Sequence, residues 1–347
     1  MIQVMSLPDW RAGNNYQELL GRAVASEGFE VVYPRGYRRG MPLARNHYGK
    51  ASLLHLHWPE AYFGQRHDGL DLCRILRFSL DLRCALRGRR LVYTAHNYLP
   101  HDARYTMLVR CNYHFILRHA ARVISHSEAA AARLRTFCPA AHDVVSVVPH
   151  GDLAEDFPQL PDRTASRDQL MLGATEPLVL IFGRTASYKG LERIIEAWDW
   201  LHPTARLLIA GTPQSSTFAR ELEARAIRQR RVTLELKWMP DVDLAVRMAA
   251  ADAVLFNYQR EFTSGAGCLA RSLGRKIVLP AHIDTVDLME PAPTVFRFHT
   301  VETDLPEVLA RAVAAPEDPA GTAAWRADTS WQTVARQTAA IYRQALT

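Results

Sequence analysis

The chain of 347 residues lacks any uninterrupted apolar run of the roughly 18 residues that a membrane-crossing helix needs. That excludes such a helix. Low-complexity tracts are also missing. The opening from Met1 to Pro8 has neither the basic start nor the length of a secretory leader, and it reads as a first buried strand. Cysteine is sparse: Cys73, Cys84, Cys111, Cys138 and Cys268 are odd in number, and no two form a CxxC pair. This usage points to buried free thiols in a reducing cytoplasm. Lysine is scarcer still, with four among 42 basic residues.

What is present is the composition of a globular protein, 48% apolar and 22% charged, at a length comfortable for two domains. The net charge of +6 is unevenly placed. Residues 1–160 hold 20 Arg and Lys against 14 Asp and Glu, whereas the remainder holds 22 of each sign. An arginine-rich composition explains Arg over Lys but not this asymmetry. A basic half beside a neutral half suits a domain that faces an anionic partner: a membrane surface, a phosphate-bearing acceptor or nucleic acid.

Strand-like and helix-like stretches alternate along the chain. Apolar runs at 2–7, 30–33, 52–57, 90–96 and 122–125 read as strands, with a helix over 16–26 that Gly28 ends. A turn-rich stretch at 148–162 breaks the rhythm and reads as a linker. The pattern then restarts, with strands at 178–182, 206–210, 232–236, 253–256 and 276–279. Helices are expected over 190–200, 217–229, 241–251 and 265–273, and an amphipathic helix closes the chain over 329–346. Alternation of this kind predicts an α/β fold of two doubly wound parallel sheets. The expected division is 1–160, 161–328 and a terminal helix 329–347. Such sheets bind ligands at their strand C-terminal ends.

Two loops carry the strongest chemistry. At the end of the strand 178–182, Gly183 lets backbone approach a ligand, Arg184 offers a planar donor fork, and Lys189 with Gly190 opens a helix with a compact ammonium. The set suits a diphosphate, although it is neither a GxxxxGK[ST] loop nor a GxGxxG fingerprint. After the strand 253–256, Thr263, Ser264, Gly265 and Gly267 offer hydroxyls and N–H groups at a helix start, and Glu261 is placed to hold ribose hydroxyls. Two phosphate-suited turns in one domain reinforce each other as a nucleoside-diphosphate site.

These residues resemble those of the GT-B superfamily of glycosyltransferases. Gly183, Arg184, Lys189 and Gly190 resemble the pyrophosphate-binding element of the group 1 transferases, the segment 147–151 their interdomain linker, and the last helix the one that crosses back onto the N-terminal domain. The resemblance implies two Rossmann-like domains facing a cleft, with acceptor bound by the first and nucleotide sugar by the second. Retaining group 1 enzymes carry a Glu–x7–Glu pair. Here Glu261 matches the first position, but Leu269 occupies the second, which leaves room for inversion. Within the superfamily, the opening from Asp9 through Asn14, Asn15 and Gln17, the His57–Glu60 segment and the 264–267 turn are similar to the xanthan-type GDP-mannose:glycolipid β-mannosyltransferases. That likeness implies metal-independent, inverting transfer of mannose onto a polyprenyl-diphosphate-linked oligosaccharide at the cytoplasmic membrane face, in exopolysaccharide assembly, with no cofactor beyond the nucleotide sugar.

An inverting transferase needs a general base for the acceptor hydroxyl. Glu60 and Asp102 are the better candidates, with Asp9 next. His96 resembles an acceptor-side histidine and is expected to position a sugar hydroxyl or the donor, while Asn14, Asn15 and His57 are expected to face acceptor. The alternation of His55 and His57 hints at metal, but with no third ligand at suitable spacing no metal site is expected. Stretches 71–90 and 105–122 read as basic amphipathic helices. Leu72, Ile75, Leu76, Leu82 and Leu86 form the first apolar stripe, and Arg74, Arg77, Arg83 and Arg87 flank it. Such helices lie on anionic membranes or pack into a core. Retaining transfer from another nucleotide sugar and a sugar-nucleotide epimerase remain alternatives. Nucleic-acid binding is not expected, because no aromatic and basic stripe is interleaved.

Overall fold

The computed structural model describes residues 1–34, 41–44, 51–63, 70–97, 105–259, 262–283, 289–290 and 292–347. Two compact units divide the chain: Met1–Gly151 with Asp328–Thr347, and Asp152–Ala327.

The first unit holds β1 (Ile2–Leu7), β2 (Phe29–Val32), β3 (Leu53–Leu56), β4 (Arg90–Thr94), β5 (Ala120–Ser125) and β6 (Val145–Val147) in the parallel order β2-β1-β3-β4-β5-β6. Its helices are α1 (Asn15–Ala25), the short α2 (Glu60–Phe63), α3 (Asp71–Ala85), α4 (Thr106–His119) and α5 (Glu128–Phe137). All four residues of β3 are buried, as expected of a parallel strand covered on both faces. α1 begins where the Asn14 side chain accepts the Tyr16 N–H, and it buries Tyr16, Gln17, Leu19, Leu20 and Val24.

The second unit holds β7 (Leu178–Phe182), β8 (Arg206–Ala210), β9 (Val232–Glu235), β10 (Ala253–Leu255), β11 (Ile277–Pro280) and β12 (Val295–Phe298), in the parallel order β12-β11-β10-β7-β8-β9. Its helices are α6 (Arg163–Gln169), α7 (Leu191–Leu201), α8 (Ser216–Ala226), α9 (Asp241–Ala250), α10 (Gly265–Ser272), α11 (Leu305–Ala314) and α12 (Pro319–Asp328). One side of its core gathers Val179, Ile181, Ile194, Trp198, Leu207 and Leu255, all at most 1% exposed. Burying each such side chain contributes about 1.5–3 kcal/mol.

The terminal helix α13 (Trp331–Leu346) belongs to the first unit, where it packs on α1 and over β3, β4 and β5. It buries Trp331, Val334, Ala335, Ala339, Ile341 and Tyr342. Trp331 covers Gly151 so closely that a Cβ there would lie 2.6 Å from the indole, and Gly151 stands at φ +99. Only glycine fits that position.

Several expectations need correction. The helix expected over 71–90 ends at Ala85, and Gly88 at φ +73 turns the chain toward β4. The one expected over 105–122 stops at His119, because Ala120 and Arg122 pair with β4 as part of β5, and sheet pairing overrides local propensity. Val147 does not lie in a linker: it ends β6, which pairs with β5. Of the five thiols expected to be buried, Cys73 and Cys111 are exposed and Cys84 is half-buried, because they sit on outward faces of α3 and α4.

Candidate active site

In the second unit the strand order reverses between β7 and β10, so the loops leaving these two strands diverge around a crevice where doubly wound sheets take ligands. Gly183 leaves β7 at φ +86, and Arg184 beside it is exposed, with no acidic partner among the described residues. Lys189 and Gly190 lead into a helix as expected. Ser187–Lys189 form a single tight turn, Gly190 follows at φ +55, and α7 starts at Leu191. Lys189 is buried, donates to the Phe182 carbonyl oxygen at 3.1 Å, and lies 5.6 Å over the Tyr258 ring.

The second loop is tied to the first. Asn257 Nδ2 donates to the Lys189 and Gly190 carbonyls at 3.2 and 3.3 Å, and Gln259 N–H donates to Tyr188 O at 2.9 Å. Ser264 caps α10 by accepting the Gly267 N–H at 3.1 Å, and its hydroxyl is 2.8 Å from that of Tyr258. A Cβ on Gly183 would lie 3.6 Å from Lys189 Nζ and 4.0 Å from Ala266 Cβ. Gly183, Lys189 and the first turn of α10, which opens at Gly265, therefore converge. N–H groups of such a first turn have no intrahelical partner and carry the positive end of the helix dipole. A Cβ on Gly267 would meet the tip of the Met289 side chain, which would have to turn aside.

Thr263 Oγ1 is buried without a partner among the described residues, and so is Thr185 Oγ1, next to Arg184. Thr185 passed unnoticed in the sequence because a lone threonine carries no spacing signal. Leu269 packs as a part-buried member of the core behind α10. Glu261 lies outside the described residues.

In the first unit, His57 follows β3 and meets His96, with Nδ1 and Nε2 3.1 Å apart, and His96 stacks on Trp58 at a ring distance of 4.1 Å. Glu60 accepts from Asn97 Nδ2 at 2.6 Å and from the Tyr113 hydroxyl at 3.1 Å. Burial raises its pKa, and the Glu60 backbone N–H, Asn97 and Tyr113 oppose that rise. Asp9 is committed to Arg11 through both oxygens, at 2.9 and 3.0 Å. Asn14 is occupied as the cap of α1, whereas Asn15 is exposed. Asp102 lies outside the described residues. His55 is no ligand candidate: Nδ1 meets the Tyr342 hydroxyl and Nε2 the Thr94 hydroxyl, each at 2.7 Å.

Histidines that the sequence scattered are gathered here. His96 follows β4, His126 follows β5 and His150 follows β6, and all three are buried. Burial lowers the pKa of His126 to about 4 and that of His55 to about 3, and it holds His57, His96 and His150 well below their ordinary value. The imidazoles are neutral at pH 7. His126 Nε2 and His150 Nδ1 are buried with no hydrogen-bond partner among the described residues. Each such orphan costs about 1–3 kcal/mol.

No family model matches the chain. Among proteins of known activity it is 26% identical over 235 residues to the GDP-mannose:glycolipid 4-beta-D-mannosyltransferase of Xanthomonas campestris pv. campestris, a match covering 66% of this chain. The match takes in 61% of the relative, so the chain spans about three-fifths of its length. Among solved structures, sucrose-phosphate synthase from Thermosynechococcus elongatus superposes with a TM-score of 0.77 at 20% identity, covering 99% of both chains. Anabaena HepE in complex with UDP-glucose superposes with a TM-score of 0.69 at 18% identity, covering 99% of this chain and 98% of that one. The chain thus has the GT-B fold, two Rossmann-like units with parallel six-stranded sheets.

Proposed function

We propose that the chain is a glycosyltransferase drawing on a nucleotide sugar. The observation that carries this reading is the convergence of Gly183, Lys189 and the first turn of α10 at the strand-order reversal of the second unit. Arg184, Lys189 and the helix terminus supply positive potential for a diphosphate, and Thr185 and Thr263 supply unclaimed hydroxyls beside it. The HepE complex with UDP-glucose supports this ligand class. With the leaving diphosphate held by protein cations, the transfer step calls for no metal.

The finer reading is transfer of mannose from GDP-mannose, with inversion, to a polyprenyl-diphosphate-linked oligosaccharide. Its support is the similarity to the Xanthomonas mannosyltransferase and the core-packing Leu269 in place of a second glutamate. Glu60, whose carboxyl is tuned upward by burial, takes the role of general base. Asp102, outside the described residues, is the competing base.

The first unit, with the terminal helix included, holds 22 Arg and Lys against 12 Asp and Glu. On α3, Ile75, Phe78 and Leu82 face the core, while Leu72, Leu76 and Leu80 form an outward row that continues into Arg83 and Arg87. No helix of the described residues is long and apolar enough to cross a membrane. An apolar row with arginines beside it suits contact with an anionic bilayer surface, where a lipid-linked acceptor resides.

The test is a thermal-shift and calorimetry screen of nucleoside diphosphates and nucleotide sugars, followed by transfer from the best donor to a lipid-linked acceptor. Guanine nucleotides and GDP-mannose binding best, with acceptor-dependent transfer, is the expected result. Donor turnover without acceptor points to the epimerase reading, and no nucleotide binding at all overturns the proposal.

A further inference from the structure

We propose that His96, His126 and His150 form a binding site for one divalent transition-metal ion in the first unit. Each offers a ring nitrogen, and the three nitrogens lie within 4.8 Å of one another. Neighbouring parallel strands β4, β5 and β6 deliver them to the same end of the sheet, so the trio is a product of topology and not of local spacing. Residues 96, 126 and 150 share no motif in the sequence.

The donor chemistry fits a metal better than a proton or an anion. His126 Nδ1 lies 2.9 Å from the Val148 carbonyl oxygen, an acceptor that can only take a proton. That bond fixes the proton on Nδ1 and leaves the Nε2 lone pair bare, the arrangement in which metal-ligating imidazoles are held. Among the described residues two buried imidazole nitrogens have no partner, His126 Nε2 and His150 Nδ1, and both belong to the trio. Three neutral imidazoles suit Zn2+ or its first-row neighbours and not Mg2+, which prefers oxygen. A tetrahedral ion sets its ligand nitrogens about 3.3 Å apart. Closing from 4.8 Å asks for small ring movements inside the aromatic wall of Tyr16, Trp58 and Trp331. Tyr16 lies edge-on or tilted to all three rings, at 4.9, 5.6 and 5.0 Å.

The three histidines belong to the first unit and the loop 183–189 to the second, and the test does not depend on transfer activity. Tag-free full-length chain is stripped with chelator and titrated calorimetrically with ZnCl2, with MgCl2 as control. Expected are one equivalent of Zn2+ at micromolar affinity or tighter, no Mg2+ heat, and a raised melting temperature with Zn2+. CoCl2 in place of ZnCl2 gives intense visible d–d bands of a tetrahedral nitrogen site, a readout that needs no variant. His126→Ala and His150→Ala each weaken Zn2+ binding at least about 100-fold, while the exposed control His142→Ala and the donor-loop Arg184→Ala leave it unchanged. Absence of stoichiometric Zn2+ binding, Co2+ bands of an octahedral hydrated ion, or full affinity in both folded histidine variants overturns the proposal. Loss of nucleotide binding in Arg184→Ala with Zn2+ binding intact shows the two sites standing or falling separately.

Discussion

The ammonium of Lys189 rests on the carbonyl oxygen of Phe182, 3.1 Å away, at the last residue of β7 before Gly183. A surface cation at a phosphate loop would wait in solvent for its ligand. This one is buried beneath the loop and holds the strand end in place, so its charge is fixed before any ligand arrives. Such preorganised charge acts more strongly than a solvated one.

Arg184 and Lys189 should therefore fail differently. Arg184 is exposed, so Arg184→Ala should leave the melting temperature unchanged while weakening nucleoside-diphosphate binding about ten-fold, the loss of one charge-assisted contact. Lys189→Ala removes a buried bond as well as a charge. It should lower stability by about 1–3 kcal/mol and affinity more than Arg184→Ala does. Urea denaturation and calorimetry on both variants read the difference. Equal affinity losses with equal stability would refute the division of roles.

Gly211, at the end of β8, stands at φ +146, and a Cβ there would collide with the carbonyl oxygen of Gly183. Gly183 itself has room, because its nearest neighbour would be Lys189 Nζ at 3.6 Å. Gly183→Ala should thus cost only the roughly 1–2 kcal/mol of a left-handed backbone. Gly211→Ala must push the donor loop aside, and should abolish nucleotide binding in whatever fraction folds. A Gly211→Ala protein that binds donor normally would show that the loop position does not matter.

Glu60 gives a pH signature. Its folded pKa is raised above the ordinary 4.5 by burial, so the folded state keeps a proton that the unfolded chain has lost. Stability contributed by that proton is full below about pH 4.5 and declines as pH climbs to the folded value. Glu60→Gln carries no such proton, so its stability relative to the native chain should improve as pH rises through that window. At neutral pH the same variant should keep donor binding and lose at least about 100-fold in transfer, the typical contribution of a general base. Melting curves from pH 4 to 8 and a transfer assay check the two halves. A parallel pH dependence in both proteins removes the raised carboxyl, and full transfer activity moves the base elsewhere.

The sequence was most legible where hydrophobic runs are long. Leu178–Phe182 and Arg206–Ala210 were readable to the residue, because each is an apolar run bounded by turn residues. The loop after β7 stood out as a unit because Gly183, Arg184 and Lys189 are close in sequence. The edge strand Val145–Val147 was not readable: it has three residues, too few for a period. Nor could the histidine trio be read, since its members meet only through the pairing of β4, β5 and β6. His55 shows the converse. It looked chemical beside His57, yet Tyr342, 287 residues away, claims its Nδ1.

The outward face of α3 offers the remaining test. Leu76 and Leu80 are 61% and 59% exposed, and a turn later the same face carries Arg83 and Arg87. Residues so open contribute little to folding, since the water they leave on folding is small in area. Leu76→Glu with Leu80→Glu should accordingly leave the melting temperature and nucleotide affinity unchanged. It should also sharply reduce co-sedimentation with vesicles containing phosphatidylglycerol, by removing apolar area and adding repulsion to the anionic surface. Arg83→Ala with Arg87→Ala should reduce the same binding by about 1 kcal/mol per arginine, roughly five-fold each, and the effect should vanish at high salt. Neutral phosphatidylcholine vesicles serve as the control and should bind the native chain weakly. If the glutamate variant sediments with anionic vesicles as the native chain does, α3 is not the surface that meets the bilayer.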